Sequence, residues 1–121
     1  MTTPERPPFD LELSENQGIR IFHLKGRLMD QHQADRLMAA LDAEVDAGHT
    51  SVVLDMGELL YMNSTGLNIL ISVLTRTRNA GGDSLIARVS TSVRQLFVVT
   101  KLDSVFILTD TVDEAVAKIK G

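Results

Sequence analysis

Apolar positions along this chain switch repeatedly between a period of two and a period near 3.6, and each switch predicts a new element. Phe9, Leu11 and Leu13 alternate with Asp10, Glu12 and Ser14, the pattern of a half-buried strand. Asn16-Gln17-Gly18 supplies a turn, and a second apolar run from Ile19 to Leu24, ending at Gly26, predicts the other arm of a hairpin. From about Gln31 the period lengthens. Ala34, Leu37, Met38, Leu41 and Val45 fall on one face of a helix that Asp30 can cap and Gly48 can stop. Ser51 to Asp55 is short, β-branched and apolar throughout, as a central strand covered on both faces must be.

After Ser64, Leu67, Leu70, Ile71 and Leu74 return at helical spacing, and the helix runs to about Asn79 before Gly81-Gly82, which can end it with positive φ. A strand over about 84–89 follows, then a short helix opened by Ser90 or Thr91 and carrying Val93, Leu96 and Phe97. Val105 to Leu108 reads as the last strand. Thr111 with Glu114 three positions on forms a capping box for a closing helix with Val112, Val116 and Ile119 on its inner face. The predicted order is β-β-α-β-α-β-α-β-α. Such alternation implies an α/β fold, a mixed sheet covered by helices.

Composition narrows the functions such a fold can serve. At 121 residues the chain fits one domain with its own core, over 9–121, preceded by a proline-rich lead-in at 1–8 expected to be flexible. There is no cysteine, which removes disulfide scaffolds and thiolate metal sites. A net charge of −4 argues against nucleic acid as the direct partner, because a binder of phosphate backbones needs a basic face. No apolar stretch approaches the roughly 20 residues of a membrane span, and the N-terminus does not resemble a signal peptide, so a soluble cytoplasmic protein is expected. His23, His32 and His49 sit on separate elements at spacings that match no metal motif. No metal site, cofactor or enzyme activity is expected.

The chemistry concentrates between the central strand and the second helix. Met62-Asn63-Ser64-Thr65-Gly66-Leu67 places two hydroxyls and a glycine at a helix start, where Asn63 and Ser64 are both natural capping residues and Thr65 can assist. A hydrolase elbow is excluded there, because no glycine precedes Ser64 to permit the sharp strand-to-helix turn. Gly81-Gly82 is no phosphate loop, since no lysine follows at the required spacing. Arg76 and Arg78 complement the negative end of the helix, and would also suit an acidic partner.

The run Asn63-Ser64-Thr65-Gly66-Leu67 resembles the signature of the STAS family of anti-sigma factor antagonists, apolar-Asp-Ser-(Ser/Thr)-Gly-Leu. The likeness extends back to Gly26-Arg27-Leu28, similar to the family's turn before the first helix, and forward through Gly81-Gly82, Ser92-Val93 and Leu96-Phe97. The family commonly has Asp where this chain has Asn63, and its turn aspartate is matched by Asp30 once Met29 is taken as an insertion. The resemblance implies a single STAS-like domain with Ser64 as phosphate acceptor. It also implies docking through Asp30, Asn63, Ser64, Thr65 and Gly66 onto an anti-sigma factor that is itself a serine kinase. Phosphorylation then ends the interaction, a metal-dependent serine phosphatase reverses it, and sigma-factor-dependent transcription is the output. The alternative that the family leaves open is a scaffold subunit of a stress-sensing or lipid-transport complex in which Ser64 is not phosphorylated.

Overall fold

The computed structural model describes residues 9–121, so the proline-rich segment at 1–8, expected as a flexible lead-in, lies outside the described residues. A hairpin of β1 (Asp10–Asn16) and β2 (Ile19–Leu28) opens the fold, followed by α1 (Gln31–Asp46), β3 (Val52–Met62) and α2 (Ser64–Asn79). Then come β4 (Ser84–Ala87), α3 (Thr91–Val99), a 3₁₀ turn at Leu102–Ser104, β5 (Ile107–Thr109) and α4 (Val112–Lys120). The strands form one sheet in sequence order, β1-β2-β3-β4-β5, antiparallel between β1 and β2 and parallel elsewhere. This is the predicted α/β alternation. The hairpin turn is tight because Gln17 and Gly18 both hold positive φ, 54° and 84°, which matches the twist of the flanking strands.

Period-two alternation in β2 and β3 divides the core between the two sheet faces. Phe22, Leu24, Leu28, Val52, Leu54 and Met56 pack with Leu37 and Leu41 of α1, Leu67, Leu70 and Val73 of α2, and Val93 and Phe97 of α3. Met38 and Val45 are half-buried at the edge of that cluster. Ile21, Val53, Leu85 and Ala87 face the other way, onto Ala115 and Val116 of α4. Three helices therefore cover one face and a single helix the other.

β3 is far longer than the predicted Ser51 to Asp55, and the reason is a pair of irregularities that hide its period. Against β2, His23 pairs with Asp55 but Lys25 with Glu58, and Gly26 pairs with Leu59 but Arg27 with Tyr61. Each shift inserts one residue and resets which side chains point inward. Leu59 and Met62 thereby stay buried while Leu60 and Tyr61 are exposed. β2 likewise runs on through Gly26, whose φ of 86° sits inside the ladder, to Leu28. The Gly26-Arg27-Leu28 stretch is thus strand and not turn.

Smaller differences have local causes. β4 stops at Ala87, short of Val89, because Arg88 takes a left-handed φ of 61°. Val105 belongs to the end of the 3₁₀ turn and not to β5. Gly81 supplies the positive φ after α2, whereas Gly82 is needed because a Cβ there would collide with the Thr50 carbonyl. Leu13 remains 41% exposed on the outer strand. At α4 the Thr111 hydroxyl accepts from Glu114 N–H at 3.0 Å, but Glu114 reaches back to Asp110 N–H at 2.8 Å, one residue earlier than a capping box requires.

Candidate partner-docking site

The last residues of β3 carry the chain to the start of α2, and Asn63 governs that junction. Its extended backbone (φ −107°, ψ −170°) makes it the N-cap, and its Oδ1 accepts from Gly66 N–H at 3.0 Å. Its Nδ2 donates to the carbonyl of Met29 at 3.3 Å. Asn63 therefore holds two helix starts together, because Met29 directly precedes Asp30, the cap of α1. The Asp30 carboxylate accepts from His32 N–H at 2.9 Å, and the Gln33 amide oxygen accepts from Asp30 N–H at 3.1 Å and Met29 N–H at 2.9 Å. Asp30 stays exposed at this end of the molecule.

With capping done by Asn63, Ser64 is the first residue inside α2. It is exposed, and its hydroxyl makes no hydrogen bond to another described residue. Thr65 is half-buried and its hydroxyl plays no part in the cap, contrary to the assistance expected of it. Gly66 is buried for an internal reason: a Cβ there would strike the carbonyl oxygen of Leu28 and crowd Met62. The close approach that a glycine permits is used by this chain's own β2. The first turn of α2 has no acidic residue, so the positive end of its dipole is uncompensated there. Arg76 and Arg78 at the other end are engaged within the chain. Arg76 pairs with Asp42 of α1 at 2.8 Å, and Arg78 reaches Asp83 at 3.4 Å and the Val105 carbonyl at 3.2 Å.

A second polar cluster was not anticipated from the sequence. Asp55, only 4% exposed, lies at the point where β3 and β4 part. Its Oδ1 accepts from Gly57 N–H at 3.0 Å and Arg88 Nε at 2.8 Å, and its Oδ2 from Arg88 at 3.2 Å, with His23 Nδ1 at 2.7 Å. His23 Nε2 in turn lies 2.7 Å from Ser14 Oγ. Burial on its own would raise the Asp55 pKa, but the bonds from Arg88, Gly57 and His23 outweigh it and hold the carboxyl below its ordinary value of 3.8. Gly57 leaves room for the Arg88 guanidinium, which a Cβ there would displace from this position. Both carboxylate oxygens of Asp55 have partners within the chain, so this network ties β1, β2 and β3 to Arg88 just beyond the end of β4. A signal was present in the lone acid of Val52-Val53-Leu54-Asp55-Met56, followed by a glycine.

Among the described residues, no group of three or more His, Asp or Glu side chains is placed to hold a metal ion, and no helix is long and apolar enough to cross a membrane. The fold and site define a small α/β module that presents an unencumbered hydroxyl at a helix start. Residues 10–115 match the STAS domain family model, and the chain belongs to that family. It is 31% identical over 110 residues to BtrV of Bordetella bronchiseptica, named as an anti-sigma factor antagonist, covering 91% of this chain and 94% of that one. Its fold matches the anti-sigma factor antagonist of Mycobacterium paratuberculosis with a TM-score of 0.81, at 21% identity and full coverage of both chains. SpoIIAA in its unphosphorylated form matches at a TM-score of 0.75 and 22% identity, over 94% of this chain and 97% of that one. The phosphorylated form of Bacillus SpoIIAA matches at 0.68 and 19%, over 93% and 99%.

Proposed function

We propose that this protein is an anti-sigma factor antagonist that acts by partner switching through Ser64. Unphosphorylated, it docks the paired helix starts, Asp30 with Asn63, Ser64, Thr65 and the underlying Gly66, onto an anti-sigma factor kinase and so frees a sigma factor. The kinase then transfers a phosphoryl group to Ser64, the complex separates, and a metal-dependent serine phosphatase restores the hydroxyl. ATP and magnesium belong to the kinase. This chain contributes a binding surface and an acceptor oxygen, and works as a regulatory protein without catalysis of its own.

The observation that carries the reading is the state of the Ser64 hydroxyl. A serine serving as the N-cap would have its oxygen committed to a backbone N–H, whereas here Asn63 does that work and leaves Ser64 exposed and unbonded among the described residues. The names of BtrV and of SpoIIAA's two forms support the same reading. Incubation with the host's anti-sigma factor kinase and Mg-ATP, followed by mass spectrometry, tests it. One phosphate on Ser64 is expected; modification of Thr65, or continued modification of a Ser64→Ala variant, contradicts it.

A further inference from the structure

β4 accompanies β3 only from Val52 to Asp55, after which Arg88 turns the chain away and, among the described residues, the rest of β3 is paired on its β2 side alone. Beside that unaccompanied end lies a groove of about 440 Å³. One wall is Tyr61 and Ser64, and the other is a stripe of α3, Ser92, Gln95, Leu96 and Val99, at the i, i+3, i+4, i+7 spacing of one helix face. Val93 and Phe97 of the same helix are buried in the core, so the stripe is held in place from behind. Val99 is 73% exposed, more than any other large apolar residue among those described.

The groove carries no charged residue among its described lining, in a chain whose net charge is −4 and in which 23% of residues are charged. That neutrality selects its occupant. A charged side chain entering it would be desolvated with no oppositely charged side chain in the described lining, whereas an apolar one gains by burial. We infer that the groove between α3 and the start of α2 seats a large apolar side chain of the same protein partner that reads Ser64. The inference rests on the partner-switching reading and gives it a physical cause. Ser64 is part of the groove wall, so its phosphorylation adds about −1.5 to −2 charges to a seat whose described lining includes no lysine or arginine. An apolar anchor would then have to bury itself against a phosphate, and would not stay.

The test is titration of the purified host kinase, without ATP, against full-length Val99→Asp, Val99→Leu, Ser64→Asp and Val105→Asp proteins. Circular dichroism melts would confirm that each variant is folded. Val105, 39% exposed and outside the groove, is the control for adding a charge to an apolar surface position. Val99→Asp is expected to weaken binding by at least about tenfold, because it sets a charge against the partner's buried apolar side chain, with Val99→Leu and Val105→Asp close to the parent. If Val99→Asp binds like the parent while Ser64→Asp fails to bind, the groove is not the seat and the Ser64 reading stands. If Ser64→Asp also binds like the parent, the Ser64 reading itself fails. A change in sedimentation of Val99→Asp with unaltered kinase affinity would assign the groove to a second copy of the chain and overturn the inference.

Discussion

Asn63 does two jobs, and an aspartate in its place could do only one. Its oxygen caps α2 while its amide group donates to Met29, bridging the starts of α1 and α2. Asn63→Asp keeps the cap and adds a charge favourable to the helix dipole, worth about 0.3–1 kcal/mol, but it loses a hydrogen bond of about 0.5–1.5 kcal/mol and sets a carboxylate against a carbonyl. The stability change is therefore expected to lie within about 1 kcal/mol. The larger effect falls on the site, where the bridge to Met29 is lost and a negative charge appears next to Ser64, so kinase affinity should drop while the melting temperature barely moves. Urea denaturation and kinase titration of Asn63→Asp check this together, and equal affinity for the two forms would show that the bridge has no role in docking. The sequence showed that Asn63 or Ser64 would cap α2, since both are capping types, but not which. Asn63 also bonds the Met29 carbonyl, 34 residues away in the chain, a contact that no local pattern reports.

At the level of elements, the network at Asp55 joins three strands to Arg88, just past the end of β4, and it responds to pH in a definite sense. A carboxyl with a folded-state pKa below its unfolded value adds stability that is fully present above the unfolded value, here 3.8, and is lost as pH falls through the folded pKa. Asp55→Asn should destabilise the protein at pH 7 by about 1–3 kcal/mol, toward the lower end because Arg88 is half-exposed and solvent screens its side of the pair. The gap between the two proteins should narrow once pH drops below about 4. Urea midpoints measured from pH 7 down to pH 3 follow this directly. A gap that persists unchanged to pH 3 would mean that the Asp55 charge contributes nothing to the effect.

The same elements show where a sequence pattern stops being readable. The helices, the hairpin and the element order were legible because their apolar positions keep a constant period: Ala34, Leu37 and Leu41 in α1 are buried as the spacing requires. The end of β3 was not, because inserted residues near Gly57 and Leu60 convert alternation into the spacing of Leu59 and Met62. The partners of Asp55 were hidden for a related reason. His23 and Arg88 lie 32 and 33 residues from it, brought near only by strand pairing. Ser64 stood out as a candidate because the motif that carries it, Asn63 to Leu67, is one continuous segment.

For the molecule as a whole, phosphorylation of Ser64 would be a change of surface and not of fold. A phosphate on Ser64 would meet the free N–H groups and positive dipole end of α2, where an exposed negative charge stabilises by about 0.3–1 kcal/mol. Nothing buried has to move to accommodate it, since Ser64 is exposed and its hydroxyl is unbonded to the described residues. The two helix starts, the β3 end and the neutral groove remain in place. What would change is that a partner shaped for a neutral hydroxyl would have to desolvate a dianion, a penalty of several kcal/mol that would lower affinity by orders of magnitude. The most direct test compares unmodified, Ser64→Ala and Ser64-phosphorylated protein by calorimetric melting and by titration with the host anti-sigma factor kinase. All three are expected to melt together, with the phosphorylated form equal or slightly higher, and only the phosphorylated form is expected to lose the kinase; phosphorylated protein that binds as tightly as the unmodified form would contradict partner switching through Ser64.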